Sequence, residues 1–192
     1  MSKVKITILF LVGAFLCLPV GTGAAYAQTK PTAEQVKHGH YLVATHACGD
    51  CHTPWKMAAN GPEQDSTRLL SGHPQQLAMP PAPLAQGPWM ASVSATFTAW
   101  AGPWGVSFSK NLTPDKETGL GNWTEENFVS TFHTGREMGK GRMILPPMPI
   151  PSFSQMTDEE LKDIFAYLQT IPAIKNKVPD PIAPPPAPAG GK

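Results

Sequence analysis

The sequence predicts a mainly α domain with a long irregular segment set into it. Three stretches pair a threonine N-cap signal with apolar residues at helical spacing. Strand-like alternation is confined to one short run, VSATF at 93–97. The 22 prolines and 17 glycines among 192 residues require much of the remainder to be irregular.

The chain opens with Lys3 and Lys5 ahead of an apolar run from Ile6 to Val20, followed by small residues up to Ala25-Tyr26-Ala27. A basic start, a short apolar middle and an A-x-A site describe a secretory signal peptide over 1–27, cut after Ala27. The alternative, an uncut membrane anchor, is disfavoured because Gly13 and Pro19 interrupt a run already short of the roughly 18 apolar residues a spanning helix needs. Export to a periplasm follows, with a short lead at 28–33 and the domain proper at 34–177. Removing 1–27 takes Cys17, Lys3 and Lys5, which leaves 13 Lys and Arg from the original 15 against 14 Asp and Glu. A near-neutral balance without a run of like charge offers no electrostatic footprint for nucleic acid or an acidic membrane surface. The last stretch, 178–192, is too proline-rich for helix or sheet and reads as a flexible tail.

The first helix follows Thr32-Ala33-Glu34-Gln35, a capping-box pattern, and carries Val36, Gly39 or His40, Val43 and Ala47 along one stripe. Gly39 costs about 1 kcal/mol relative to alanine inside a helix, a cost that a close helix crossing would explain. Directly after it comes HACGDCH, residues 46–52. Cys48, Cys51 and His52 in a C-x-x-C-H arrangement have three chemical readings. A structural zinc site needs four ligands, and the exported chain has no further cysteine. A thiol–disulfide pair of the thioredoxin type needs a βαβ framework, which the helical lead-in does not provide. Covalent haem attachment needs nothing more: the two thiols add to the two porphyrin vinyl groups, and His52 becomes the proximal iron ligand. Export agrees with this, and haem c, one per chain, is the expected cofactor.

An iron held by His52 has one further axial position. Of seven methionines after residue 27, Met148 stands apart in LPPMPIPSF, where flanking prolines stiffen the backbone around a thioether. Met143 is the nearest rival. A second helix begins near Thr124, with Phe128, Val129 and Phe132 on one face and Gly135 as its C-cap. The last helix starts at Thr157 with Glu160 as capping partner, carries Leu161, Ile164, Phe165, Leu168 and Ile171, and stops at Pro172. Between Pro74 and Ser107 lies the irregular insertion, which either covers a haem edge, presents Trp89, Trp100 or Trp104 to a partner, or packs them inward. His73, at its start, reads as a surface histidine.

Three blocks, FSKNLTPDKETGLGNWT (108–124), GRMILPPMPIPSF (141–153) and MTDEELKDIFAYLQTIP (156–172), together with CGDCH, give the chain a resemblance. It is similar to class I cytochromes c, and more narrowly to monohaem cytochromes and domains related to the cytochrome c subunit of quinoprotein alcohol dehydrogenases. The resemblance implies a class I helical fold around one covalent haem, with Met148 as distal ligand and Gly39 of the first helix crossing Tyr167 of the last. Those dehydrogenase subunits carry several C-x-x-C-H units, and this chain has one. Trp123 and Asn111 fall in the block with NLTPD, and with Arg142 they are candidate haem-propionate contacts. A backbone carbonyl should accept from the second nitrogen of His52, with that of Pro62 as a first guess.

The expected function is one-electron transfer by a periplasmic cytochrome, not enzymatic catalysis. The donor would be a dehydrogenase or quinol-oxidising complex, and the acceptor another cytochrome or a terminal oxidase. The competing expectation is a haem enzyme or a gas- or peroxide-binding protein with an open distal position, in which His133 or His73 would act as acid–base group.

Overall fold

The computed structural model describes residues 30–82 and 88–184. The expected signal peptide at 1–27, with Cys17, and the end of the proline-rich stretch lie outside these residues. The chain runs through α1 (Ala33–Thr45), α2 (Cys48–His52), β1 (Trp55–Ala58), β2 (Gly61–Gln64), β3 (Ser92–Val93), β4 (Ala99–Gly102), β5 (Gly105–Phe108), α3 (Glu125–Thr134), α4 (Ile150–Phe153) and α5 (Asp158–Leu168). Single 3-10 turns occupy Ser66–Arg68 and Glu137–Gly139. No helix among the described residues is long and apolar enough to cross a membrane.

All three capping signals form. Thr32, Thr124 and Thr157 each accept from the backbone N–H three residues on, and Gln35, Asn127 and Glu160 reach back to complete the box. Each reciprocal pair satisfies donors that a bare helix start leaves open. Gly135 ends α3 with a left-handed φ of 65°, a conformation open to glycine without steric cost.

The core joins the first and last helices to α3. Leu161, Ile164, Phe165 and Leu168 of α5 meet Leu42 and Val43 of α1 and Phe128, Val129 and Phe132 of α3. Phe128 lies 5.0 Å from Phe132 and 5.3 Å from Phe165, ring centre to ring centre, and Phe132 lies 5.4 Å from Phe153. The buried face of α1 is Gly39, Leu42 and Val43, whereas His40 is exposed and Ala47 stands outside the helix. Gly39 sits at the crossing: a Cβ there would run into the Asp163 carbonyl and come within 2.9 Å of Tyr167 Cβ.

The expectation of a mainly α protein is corrected. Helices take up 33% of the described residues and strands 14%, the latter in two antiparallel sheets. In the first sheet Trp55 to Ala58 pair with Gln64 back to Gly61, across a two-residue loop at Ala59-Asn60. Neither strand alternates in hydrophobicity, and Pro62 argues against a strand, which hid the hairpin. The second sheet has the order β3-β4-β5 and sits inside the supposedly irregular insertion. Gly102 and Gly105 pair across Pro103-Trp104, and the Trp104 ring folds back over Gly102, where a Cβ would lie 2.5 Å from ring atoms. Glycine and proline here build a tight hairpin instead of breaking structure. Of the VSATF run only Val93 enters a strand; Phe97 sits in a turn at φ 55°.

The start of the proline-rich stretch is held in place. Ile182 exchanges both backbone hydrogen bonds with Val106, at 2.8 and 2.9 Å. Ile182, within the stretch expected to be a tail, is thus paired to β5.

Candidate haem site

The C-x-x-C-H motif folds as α2, a single turn set off from α1 by Ala47 in the left-handed region at φ 55°. That break reorients the chain, so the three side chains of the motif face one wall of a cavity. The first hairpin clamps the middle of the motif. Trp55 Nε1 donates to the Asp50 carbonyl at 3.1 Å, and Gln64 Nε2 donates to Asp50 Oδ1 at 3.0 Å. Behind it, Thr53 is fully buried and its hydroxyl accepts from the Leu70 N–H at 3.0 Å.

His52 is oriented from a distance. Its Nδ1 donates to the Lys110 carbonyl at 2.8 Å, 58 residues further along the chain. This bond assigns the proton to Nδ1 and leaves the Nε2 lone pair as the free ligating position. Burial lowers the histidine's pKa, opposed in part by the Lys110 carbonyl, so the ring is neutral and competent to bind a metal. A backbone carbonyl was the expected acceptor, but Pro62 is not the residue; it lies in β2.

Lys110 owes its position to a strap formed by Leu70–His73. Gly72 donates to the His52 carbonyl at 2.8 Å, His73 to the Ser109 carbonyl at 2.9 Å, and Leu112 to the Leu70 carbonyl at 2.9 Å. Gly72 adopts φ +77°, and a Cβ there would collide with Ser109 and Lys110. The strap is tied down in turn by Asn176, which is 1% exposed. Its Nδ2 donates to the Ser71 and His73 carbonyls at 2.7 and 2.9 Å, while its Oδ1 accepts from Arg68 and the Gln75 N–H at 3.0 and 2.9 Å.

The cavity holds about 700 Å³, within the range of roughly 300–1,000 Å³ common for cofactor sites. Cys48, Cys51 and His52 line it from one end of the chain, and Met148, between Pro147 and Pro149, lines it from the other. Leu112, Leu120, Phe128 and Phe153 supply apolar wall. Cys48 and Cys51 are free thiols, and burial pushes Cys48 up to about 11 and Cys51 upward, with Asp50 adding to both. Both thiols are therefore protonated at neutral pH. Two thiols and an imidazole on one turn, a thioether on a stiff loop and a largely apolar interior fit a haem. Among the described residues no three His, Cys, Asp or Glu side chains cluster as a closed metal site.

The other candidates separate. Met143 is 61% exposed, pairs its backbone with Arg136 and is absent from the lining, so the structure does not bring it to the site. Trp123 lines the cavity half-buried. Arg142 also lines it, with Nε on Glu137 Oε2 at 3.1 Å; Glu137 is shared with Lys110 at 3.6 Å. Asn111 borders the cavity, yet its amide is already engaged. Its Nδ2 donates to the Ile174 carbonyl at 2.8 Å and its Oδ1 accepts from Thr113 Oγ1 at 2.7 Å. This amide takes part in an internal network.

His73 is wholly buried, its Nδ1 on Thr98 Oγ1 at 3.0 Å and its Nε2 on the Leu77 carbonyl at 3.1 Å, which corrects the surface reading. His133 pairs with Asp158 at 2.8 Å. Neither lines the cavity. Sequence reasoning missed Lys110, whose contribution is a backbone carbonyl, and Asn176, a lone asparagine in a connecting stretch. Lys110 lies in the 108–124 block, but its side chain gives no sign of this role, and Asn176 lies in none of the quoted blocks.

No family model matches the chain. It is 28% identical over 177 residues to the fructose dehydrogenase cytochrome subunit of Gluconobacter japonicus, covering 86% of this chain and 29% of that protein. It is 29% identical over 173 residues to the cytochrome c subunit of a quinone-dependent alcohol dehydrogenase of Gluconobacter oxydans (strain 621H), with 88% and 29% covered. To the gluconate 2-dehydrogenase cytochrome c subunit of Pantoea cypripedii it is 28% identical over 156 residues, with 80% and 27% covered. The chain spans under a third of the length of these relatives. Over most of its own length, this chain resembles the cytochrome c subunits of dehydrogenase complexes.

Proposed function

We propose that this chain is an exported c-type cytochrome that carries single electrons. One observation carries the reading: Cys48, Cys51, His52 and Met148, drawn from opposite ends of the domain, line one largely apolar cavity. Cys48 and Cys51 would hold one haem through two thioethers, and His52 Nε2 and Met148 Sδ would ligate its iron. When bound, the haem supplies a ferric–ferrous couple whose potential the axial ligands and burial tune. The chain's own residues set those conditions. The Lys110 carbonyl fixes the His52 ring and its tautomer, and Pro147 and Pro149 restrict the backbone that carries Met148. The apolar walls keep water from the ligands.

By analogy with the relatives, the donor is a dehydrogenase and the acceptor a further redox protein. The N-terminal pattern supports delivery to the periplasm.

Expression with a haem-maturation system tests the reading. The intact mass should equal the chain from Gln28 plus one haem. Spectra should be low-spin, with a weak far-red iron–methionine band that Met148→Ala removes and Met143→Ala keeps. A high-spin ferrous spectrum that shifts readily with carbon monoxide would overturn the carrier reading and direct attention to gas or peroxide chemistry.

A further inference from the structure

We infer that Ser107 of the inserted sheet is a positioning residue for the distal ligand: its hydroxyl anchors the loop that carries Met148. The inference rests on the haem-carrier reading and gives the insertion a part in it that no motif marks.

Proline fixes φ and removes a donor, so Pro146, Pro147 and Pro149 stiffen the Met148 loop while leaving few N–H groups to fasten it. Stiffness sets the shape of a segment and not its place. At its start the loop follows Ile144, whose N–H donates to the Gly135 carbonyl at 2.9 Å. At its end the Met148 carbonyl accepts from the nearby Ile150 N–H, also at 2.9 Å. Among the described residues, one hydrogen bond joins residues 145–148 to a distant element, and it runs from Ser107 Oγ to the Pro146 carbonyl at 2.5 Å.

The surroundings fit Ser107 for this task. It is 8% exposed and sits on β5, which pairs with β4 along one side and with Ile182 on the other. A hydroxyl has one proton to give. The Trp100 carbonyl is the alternative acceptor at 3.4 Å, so the nearer Pro146 carbonyl takes the proton. Trp104 Nε1 donates to the same oxygen at 3.3 Å, which occupies a lone pair and turns the O–H towards the loop. Trp104, Ser107 and Pro146 thus form one line of donors and acceptors that ends just before Met148.

The test uses the full haem-loaded protein, with imidazole as competitor for the distal position of the ferric iron. The competitor's apparent affinity scales with the fraction of molecules whose loop is open. Losing one hydrogen bond should raise that fraction, and with it the imidazole affinity of Ser107→Ala, about three- to tenfold. The far-red iron–methionine band should weaken in step. Ser107→Thr, which keeps the hydroxyl, should stay close to the unmodified protein. Thr157→Ala removes a helix cap outside the loop and should leave the imidazole affinity unchanged. A low-spin Ser107→Ala protein with unaltered imidazole affinity, or with a rise that Thr157→Ala matches, would overturn the inference.

Should Ser107→Ala not fold, the unmodified ferrous protein decides. Exchanging water for heavy water should shift the carbonyl carbon resonance of Pro146, as it shifts that of Pro149, which accepts from the Ser152 and Phe153 N–H groups. A shift at Pro149 with none at Pro146 would sink the assignment. Failure of the carrier reading would look different, since the unmodified protein would then lack the iron–methionine band before any substitution.

Discussion

Replacing Gly39 by alanine should destabilise the domain even though alanine is the better helix former. In an unobstructed helix interior the change would gain about 1 kcal/mol. Here the added Cβ meets the Asp163 carbonyl and Tyr167 Cβ at 2.9 Å, both close to the backbone of α5 and unable to swing aside as a long side-chain tip can. Relieving the clash means moving α1 and α5 apart, which loosens Leu42 and Val43 against Leu161 and Ile164. Overpacking a tight contact costs about 1–3 kcal/mol, and the rigidity of these atoms favours the upper end. Subtracting the propensity gain leaves a net loss of about 2 kcal/mol, or roughly 6 °C in Tm for a chain of this size. Gly49→Ala is the internal control: its added Cβ would find nothing closer than Gln64 Oε1 at 3.5 Å. Urea unfolding of both haem-loaded variants should show Gly39→Ala well below wild type and Gly49→Ala at or slightly above it. A Gly39→Ala protein as stable as wild type would refute the argument that this crossing, and not chance, places glycine in α1.

Further expectations concern the strap, a buried base and a cap. Asn176→Ala should cost about 3 kcal/mol or more, since it strands the Ser71 and His73 carbonyls and the Gln75 N–H in the interior; denaturant midpoints measure it. Burial, opposed by the Leu77 carbonyl and reinforced by Arg68, holds His73 below the usual histidine range. The unfolded chain therefore takes up a proton below about pH 6.5 that the folded chain refuses, and stability falls from there towards the folded pKa. Comparing unfolding at pH 7.5 and 5.5 should show that His73→Gln flattens this loss; an equal slope in both proteins would refute it. Thr157→Ala should cost about 1 kcal/mol in the same assay, and Thr157→Ser should regain most of it.

The helices were legible because their evidence is local. A threonine, its partner three residues on and a stripe such as Leu161, Ile164, Phe165 and Leu168 lie within a few turns of one another. The C-x-x-C-H turn is legible for the same reason. The sheets were not, since each rests on pairing that local pattern conceals: Pro62 stands opposite Met57, and a Gly-Pro-Trp-Gly hairpin reads as a breaker. The support of His52 is harder still. Its acceptor is a carbonyl common to every residue type, placed by contacts among residues 70–73, 109–112 and 176. The prolines around Met148 mark its loop in the sequence, whereas the internal partners of the Asn111 amide lie as far off as Ile174 and leave no mark in the motif block.

The pairing of Ile182 with Val106 has a bearing on solubility. Open sheet borders invite other chains to add strands and begin aggregates. Here β3 is two residues long, β2 carries Pro62, and Ile182 covers Val106 on β5. A protein trimmed before Val178 would lose that cover and should self-associate at concentrations where the longer chain stays monodisperse.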